Sequence, residues 1–141
     1  MKLPDINVLF NAVHVGSPHH AAACKALEGA LDSREGVGFA WLVLVGFIRI
    51  ATQRGLLPMP LPVADALSLV DGWLTHPHAR IVHPGQAHAG ILGRLLLEAG
   101  QGGNLTNDAH IAALAIEHQA EVLTFDKDFA RFSGLRYQLL A

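Results

Sequence analysis

The sequence predicts an α/β domain, a three-layer α/β/α sandwich with a mainly parallel central sheet. Three observations lead there. Short apolar stretches of strand length alternate with longer stretches of helical spacing, the pattern of βαβ units. The 141 residues are enough for one domain with a sizeable core, so 1–141 is read as a single domain. No repeat, low-complexity segment or linker divides it, and 51% of the chain is hydrophobic.

The elements follow in order. Leu3 to Ile6 reads as a first strand with Asp5 near its C-terminal end, and "NVLFNAVH" continues with helical spacing. "GSPHHAAACKALEGALD" starts as a helix, with Ser17 as N-cap and Pro18 in the first helical position. "SREG" is a turn and "VGFA" a short buried strand. "WLVLVGFIRIATQ" is apolar on every side, and its length favours a buried helix. "RGLLPMPLP" is a loop broken by prolines, and Pro62 opens the helix "VADALSLVDGWLTH".

"ARIVH" is the next strand, after an "HPH" turn. "GQAHAGILGRLLLEAG" is a helix ending at Gly100, followed by the turn "QGGN". "TNDAHIAALAIEHQ" is the best-marked helix, with Thr106 as N-cap and Asp108 in its first turn. "EVLTF" is a strand, "DKDFARF" a helical turn and "LRYQLL" the last strand.

Composition bounds the function. The net charge is −2 with His neutral, so no overall basic field attracts nucleic acid, and a local patch or an oligomer would have to supply one. The most apolar stretch stops at Arg49, short of the roughly 20 residues that cross a bilayer, so no membrane is expected. Nothing at the start reads as a secretory signal. The lone Cys24 excludes an intramolecular disulfide and a multi-cysteine zinc site, and a reducing cytoplasm is the expected setting. The surplus of apolar residues points to surface buried against a partner.

The acids carry the chemistry. In open parallel sheets, ligands bind beyond the carboxyl ends of the strands. Asp5 ends the first strand, Asp126 and Asp128 follow "EVLTF", and Asp108 opens a helix on the same rim. Asp108, Ile111 and Ala115 share one helical stripe, so Asp108 faces inward. Converging carboxylates repel and take up protons unless a cation sits among them. Oxygen donors without Cys suit a hard ion, Mg²⁺ or Mn²⁺, whose natural chemistry is hydrolysis of a phosphate ester. Each acid also has a plainer reading. Asp5 alone could cap the following helix, Asp108 could complement a helix dipole, and "DKD" could be a solvated turn.

The segments "PDINVLFNAV", "HAAA", "GFIRIAT", "LPVADALSLVDGWL" and "GNLTNDAHIAALAIEHQAEVLTFDKDFARFSGLR" occur in this order over nearly the whole chain. Together they resemble the PIN-domain ribonuclease toxins of VapBC toxin–antitoxin systems, the VapC family. The resemblance implies an α/β/α fold and a Mg²⁺-dependent endoribonuclease cleaving structured RNA, a tRNA or rRNA loop, to inhibit translation. It implies Asp5, Asp108 and Asp126 as catalytic acids, Asp5 and Asp108 as metal ligands, and Asp128, Asn7, Thr124 and Arg49 as auxiliary residues. It also implies a cognate VapB-like antitoxin and, with the apolar surplus, a homodimer. The segments around "GFAWLVL" and "GLLPMPLPVADAL" are expected at these interfaces.

One position departs from the pattern. Where many PIN domains carry a Glu, "LVGFIRI" has Gly46, as in a toxin subgroup with the same replacement. One carboxylate fewer implies weaker metal affinity, a more hydrated ion, and one Mg²⁺ rather than two. It also keeps an alternative open: a catalytically weak or inactive PIN domain acting as an RNA- or antitoxin-binding module.

Other chemistries fit less well. Nine histidines offer no H-E-x-x-H pair for zinc, and His20 reads as structural. A haloacid-dehalogenase-like phosphatase wants a second acid where Asn7 stands, and a phospho-receiver domain is poorly matched by Lys127 between two acids. Arg49, at the end of an apolar helix, either snorkels to solvent or meets a phosphate or site acid. Trp41 and Trp73 read as core or interface anchors.

Overall fold

A computed structural model describes all residues, 1–141. Five parallel strands form one sheet in the order β3-β2-β1-β4-β5. They are β1 (Lys2–Pro4), β2 (Val37–Phe39), β3 (Ala79–Ile81), β4 (Glu121–Thr124) and β5 (Arg136–Leu139). The helices are α1 (Ile6–Val13), α2 (His20–Asp32), α3 (Trp41–Thr52), α4 (Val63–Leu74), α5 (His88–Ala99) and α6 (Leu105–Glu117). A short 3-10 turn spans Lys127–Arg131. α1 packs on α2 and α3, and α3 on α4, while α5 and α6 pack on each other. The result is the expected three-layer α/β/α sandwich, its chain reversal falling at β1, where the order runs outward to β3 on one side and to β5 on the other.

The central strand explains why the rim opens at Asp5. The Lys2 N–H bonds the Gly36 carbonyl on the β2 side, and the Asp5 N–H bonds the Leu123 carbonyl on the β4 side, each at 2.9 Å. Alternation puts the missing N–H of Pro4 on the β2 side, where a ladder bond would otherwise continue. Pairing of β1 with β2 is accordingly confined to Lys2 and Val37, whereas pairing with β4 runs through Pro4 and Leu123. The strand thus detaches from one neighbour as it reaches the functional end.

Core packing fixes the layers. Thirty buried hydrophobic residues form one cluster, led by Phe39, Phe47 and Phe129. Trp73 packs edge-on to Phe47 and stacks with Phe39, at ring separations of 4.9 and 6.2 Å. Trp41 is instead 45% exposed, so only one of the two tryptophans anchors the core. Gly36 holds a φ of +71°, and a Cβ there would lie 2.0 Å from the His78 carbonyl oxygen, so the turn into β2 requires glycine. Gly100, where the sequence ends the helix, caps α5 in the left-handed conformation at φ 73°.

Three local expectations are corrected. β1 ends at Pro4, so Asp5 lies just beyond the strand and is the N-cap of α1. α2 begins at His20, because the Ser17 hydroxyl is engaged elsewhere: it donates to Asn11 Oδ1 at 2.6 Å and accepts from the His19 N–H at 3.1 Å. α6 begins one residue before Thr106, which therefore lies inside the helix rather than at its cap. Asp108 remains in the first turn.

Candidate active site

Asp5 is 4% exposed, and both its oxygens are occupied by the protein. Oδ1 accepts from the Ile6 N–H at 2.6 Å, and Oδ2 accepts from the Thr124 hydroxyl at 2.9 Å. Of the readings posed for Asp5, the helix cap is therefore present in the structure. Burial pushes the Asp5 carboxyl above the usual range, and the Thr124 and Ile6 bonds pull it partly back. Repulsion from Asp126 adds to the rise.

Thr124 is fully buried at the end of β4 and works in two directions. Its hydroxyl donates to Asp5 and accepts from the Asp126 N–H at 2.9 Å. Asp126 in turn caps the following 3-10 turn, its Oδ1 accepting from the Asp128 N–H at 2.8 Å. A single chain of hydrogen bonds therefore runs from the end of β1 through β4 to the "DKD" turn.

Asp108 completes the group from the other helix layer. Its carboxyl is raised to about 7 by burial, then by repulsion from Asp5, Asp126 and Asp128. Asp108 thus stands close enough to Asp5, Asp126 and Asp128 to feel their charges. His110, two residues on, points elsewhere: its ring bonds that of His88 on α5 at 2.9 Å.

The auxiliary residues divide. Thr124 is central. Asn7 is exposed beside Asp5 and contributes only its backbone carbonyl, which accepts from the Asn11 amide at 2.7 Å. Arg49 is exposed and forms no ion pair, so the pairing with a site acid is not present. Gly46 is buried against α1, where a Cβ would stand 2.7 Å from Ile6 Cδ1. Ile6, the residue after Asp5, therefore occupies the space a side chain at position 46 would enter.

Sequence reading passed over one contact. The His19 ring packs on that of Phe125 at 4.5 Å, beside Asp126. The only signal for it was an aromatic residue between Thr124 and Asp126.

No three His, Cys, Asp or Glu side chains are gathered tightly enough to form a closed metal cage. The donor set nevertheless fits a hard cation. All the candidate groups are carboxylates, their mutual repulsion is what a cation relieves, and Mg²⁺ uses one or two protein carboxylates with water filling its shell.

Comparison with known proteins agrees with this architecture. The PIN domain model matches residues 2–135. Ribonuclease VapC37 of Mycobacterium tuberculosis is 49% identical over 137 residues, covering 97% of this chain and 95% of the relative. Ribonuclease VapC33 of the same organism is 39% identical over 137 residues, covering 97% and 96%. Among solved structures, VapBC2 of Rickettsia felis bound to a promoter DNA fragment superposes with a TM-score of 0.70 at 19% identity, covering 99% of this chain and 98% of that one. M. tuberculosis VapC20, described as a sarcin–ricin loop cleaving toxin, gives a TM-score of 0.69 at 17% identity, covering 96% and 99%. With its PIN fold and its near full-length relatives, the chain belongs to the PIN-domain family and, within it, to the VapC ribonucleases.

Proposed function

We propose that this protein is a Mg²⁺-dependent endoribonuclease and the toxin of a type II toxin–antitoxin system. Its substrate would be a structured RNA, a tRNA or rRNA loop, whose cleavage inhibits translation. The observation that carries this reading is the gathering of Asp5, Asp108, Asp126 and Asp128 at one sheet edge, with Asp5 and Asp126 joined through Thr124 and with burial first, then repulsion from the other three, raising Asp108 to about 7. Kinship with ribonucleases supplies the substrate class.

In this reading Asp5 and Asp108 hold the ion, with Mn²⁺ as a substitute, and Asp126 is the third catalytic acid. When bound, the ion polarises the phosphodiester and lowers the pKa of a water. The protein's part is preorganisation. Thr124 holds the Asp5 carboxylate at the rim and fixes the backbone that presents Asp126. Asp108, whose proton is held by burial and by the neighbouring acids, would be ionised as a ligand to the ion. Asp128 adds a weaker negative charge from the exposed side of the turn.

The partners follow from surface chemistry and kinship. Trp41 and Val45 on α3, Leu56 and Met59 in the loop, and Val63 and Leu67 on α4 are large apolar side chains left exposed. They lie in the segments expected to meet a second copy and a VapB-like antitoxin. Gly46 supports the second reading, an RNA- or antitoxin-binding module with weak catalysis, because Ile6 fills the position where a further acid would stand. A purified toxin incubated with a tRNA pool separates the two. Cleavage with Mg²⁺ that stops with EDTA supports the nuclease, and binding without cleavage across a broad RNA panel supports the module.

A further inference from the structure

His19 immediately precedes α2, and Phe125 lies between Thr124 and Asp126. Their rings pack at 4.5 Å with a 36° tilt. Phe125 is half-buried and His19 is exposed, so one side of the imidazole is covered and the rest faces solvent.

The segment that presents this ring is held at several points. The His19 N–H donates to the Ser17 hydroxyl at 3.1 Å, and that hydroxyl donates to Asn11 Oδ1 at 2.6 Å. His20 Nδ1 lies 2.9 Å from the Asn11 carbonyl oxygen. Asn11 belongs to α1, the helix that Asp5 caps. The imidazole is therefore tied through α1 to one site acid and through Phe125 to another. A structural packing role alone does not require an aromatic ring to be held open to solvent at the edge of the site.

We infer that the His19–Phe125 pair is a stacking shelf for an unpaired nucleobase of the RNA, seated next to the phosphodiester that the carboxylates address; this rests on the nuclease reading above. Single-stranded loops present splayed bases, and aromatic rings beside a backbone site recognise them through their π-faces. His19 is then a specificity residue of the site. It binds the base, and Phe125 fixes the plane of its ring.

The test is binding of a fluorescein-labelled, mixed-sequence single-stranded RNA by the full chain in EDTA, followed by anisotropy. Wild type is compared with His19→Ala, His19→Phe and His19→Lys, each checked for an unchanged circular dichroism spectrum. The expected result is a roughly 5- to 100-fold loss for Ala and Lys, with Phe retaining wild-type affinity to within about twofold. Unchanged binding by His19→Ala overturns the shelf. So does a loss in His19→Phe equal to that in His19→Ala, or restoration by Lys rather than Phe, which would assign His19 to a phosphate contact. A wild-type chain that binds no RNA in this assay overturns the shelf, while Mg²⁺-dependent cleavage of a tRNA pool by the same preparation keeps the nuclease. The expected pattern without Mg²⁺-dependent cleavage by wild type overturns the nuclease and leaves the shelf.

Discussion

The Thr124 hydroxyl joins two acids that follow different strands, donating to Asp5 Oδ2 and accepting from the Asp126 N–H, both at 2.9 Å. Thr124→Val keeps the shape and removes both bonds, leaving a buried carboxylate oxygen and an amide without partners. The expected loss of stability is about 1–3 kcal/mol in urea denaturation. The expected loss of cleavage rate is about 10- to 100-fold, the range for groups that orient metal ligands, with Thr124→Ser close to wild type. Wild-type stability and rate in Thr124→Val would show that the bridge organises nothing.

Asp108 makes stability depend on pH. Its folded-state carboxyl is raised from 3.8 to about 7. Between those values the folded protein holds more protons than the unfolded chain, so stability falls as pH rises, and the full penalty is present above 7. Asp108→Asn removes this penalty. Because the side chain is only half-buried, solvent screening limits the gain to about 1–2 kcal/mol. Thermal melts without metal should show the variant equal to wild type at pH 4 and more stable at pH 8. Equal melts at both pH values would mean that the repulsion is absent.

Gly46 and Ile6 form a second coupled pair. A Cβ at 46 would approach Ile6 Cδ1 to 2.7 Å and Cγ1 to 3.2 Å. Gly46→Ala thus gains helix propensity but overpacks its neighbour. Ile6→Val removes the obstructing methyl. In the Ile6→Val background, Gly46→Ala should stabilise by about 0.5–1 kcal/mol more than in wild type, measured as a double-mutant cycle. Additive effects would show that α3 and α1 are not in contact through these two residues.

The apolar face on α3, the loop and α4 predicts self-association. Light scattering at micromolar concentration should give a dimer, and Val45→Glu with Val63→Glu should give a monomer of unchanged fold. Both side chains are already exposed in the single chain, so the charges disturb only an interface. A wild-type monomer would remove the homodimer from the account.

Much of this was legible in the residues. Alternating strand and helix patterns give the parallel layers, and acids at strand ends give the rim, because both follow from local periodicity and chain direction. Pro4 and Thr124 show where legibility stops. The effect of Pro4 depends on which neighbour each N–H faces, and that of Thr124 on a residue 119 positions away in sequence. The Ser17 cap failed for a related reason: it is a sound local start signal, but its hydroxyl bonds Asn11 instead. The role of Arg49 was unreadable because side-chain pairing is decided by the fold. His19 and Phe125 are likewise brought together only in the folded chain.

The central claim is hydrolysis of RNA by the carboxylate rim. Purified wild-type protein, freed of antitoxin, is incubated with a tRNA pool and Mg²⁺, with EDTA and with Asp5→Asn as controls, and the 5′ ends of the products are sequenced. The account predicts discrete cuts in wild type, none with EDTA, and none with Asp5→Asn. Cuts that persist in Asp5→Asn, or intact tRNA and rRNA under every metal condition, would contradict it.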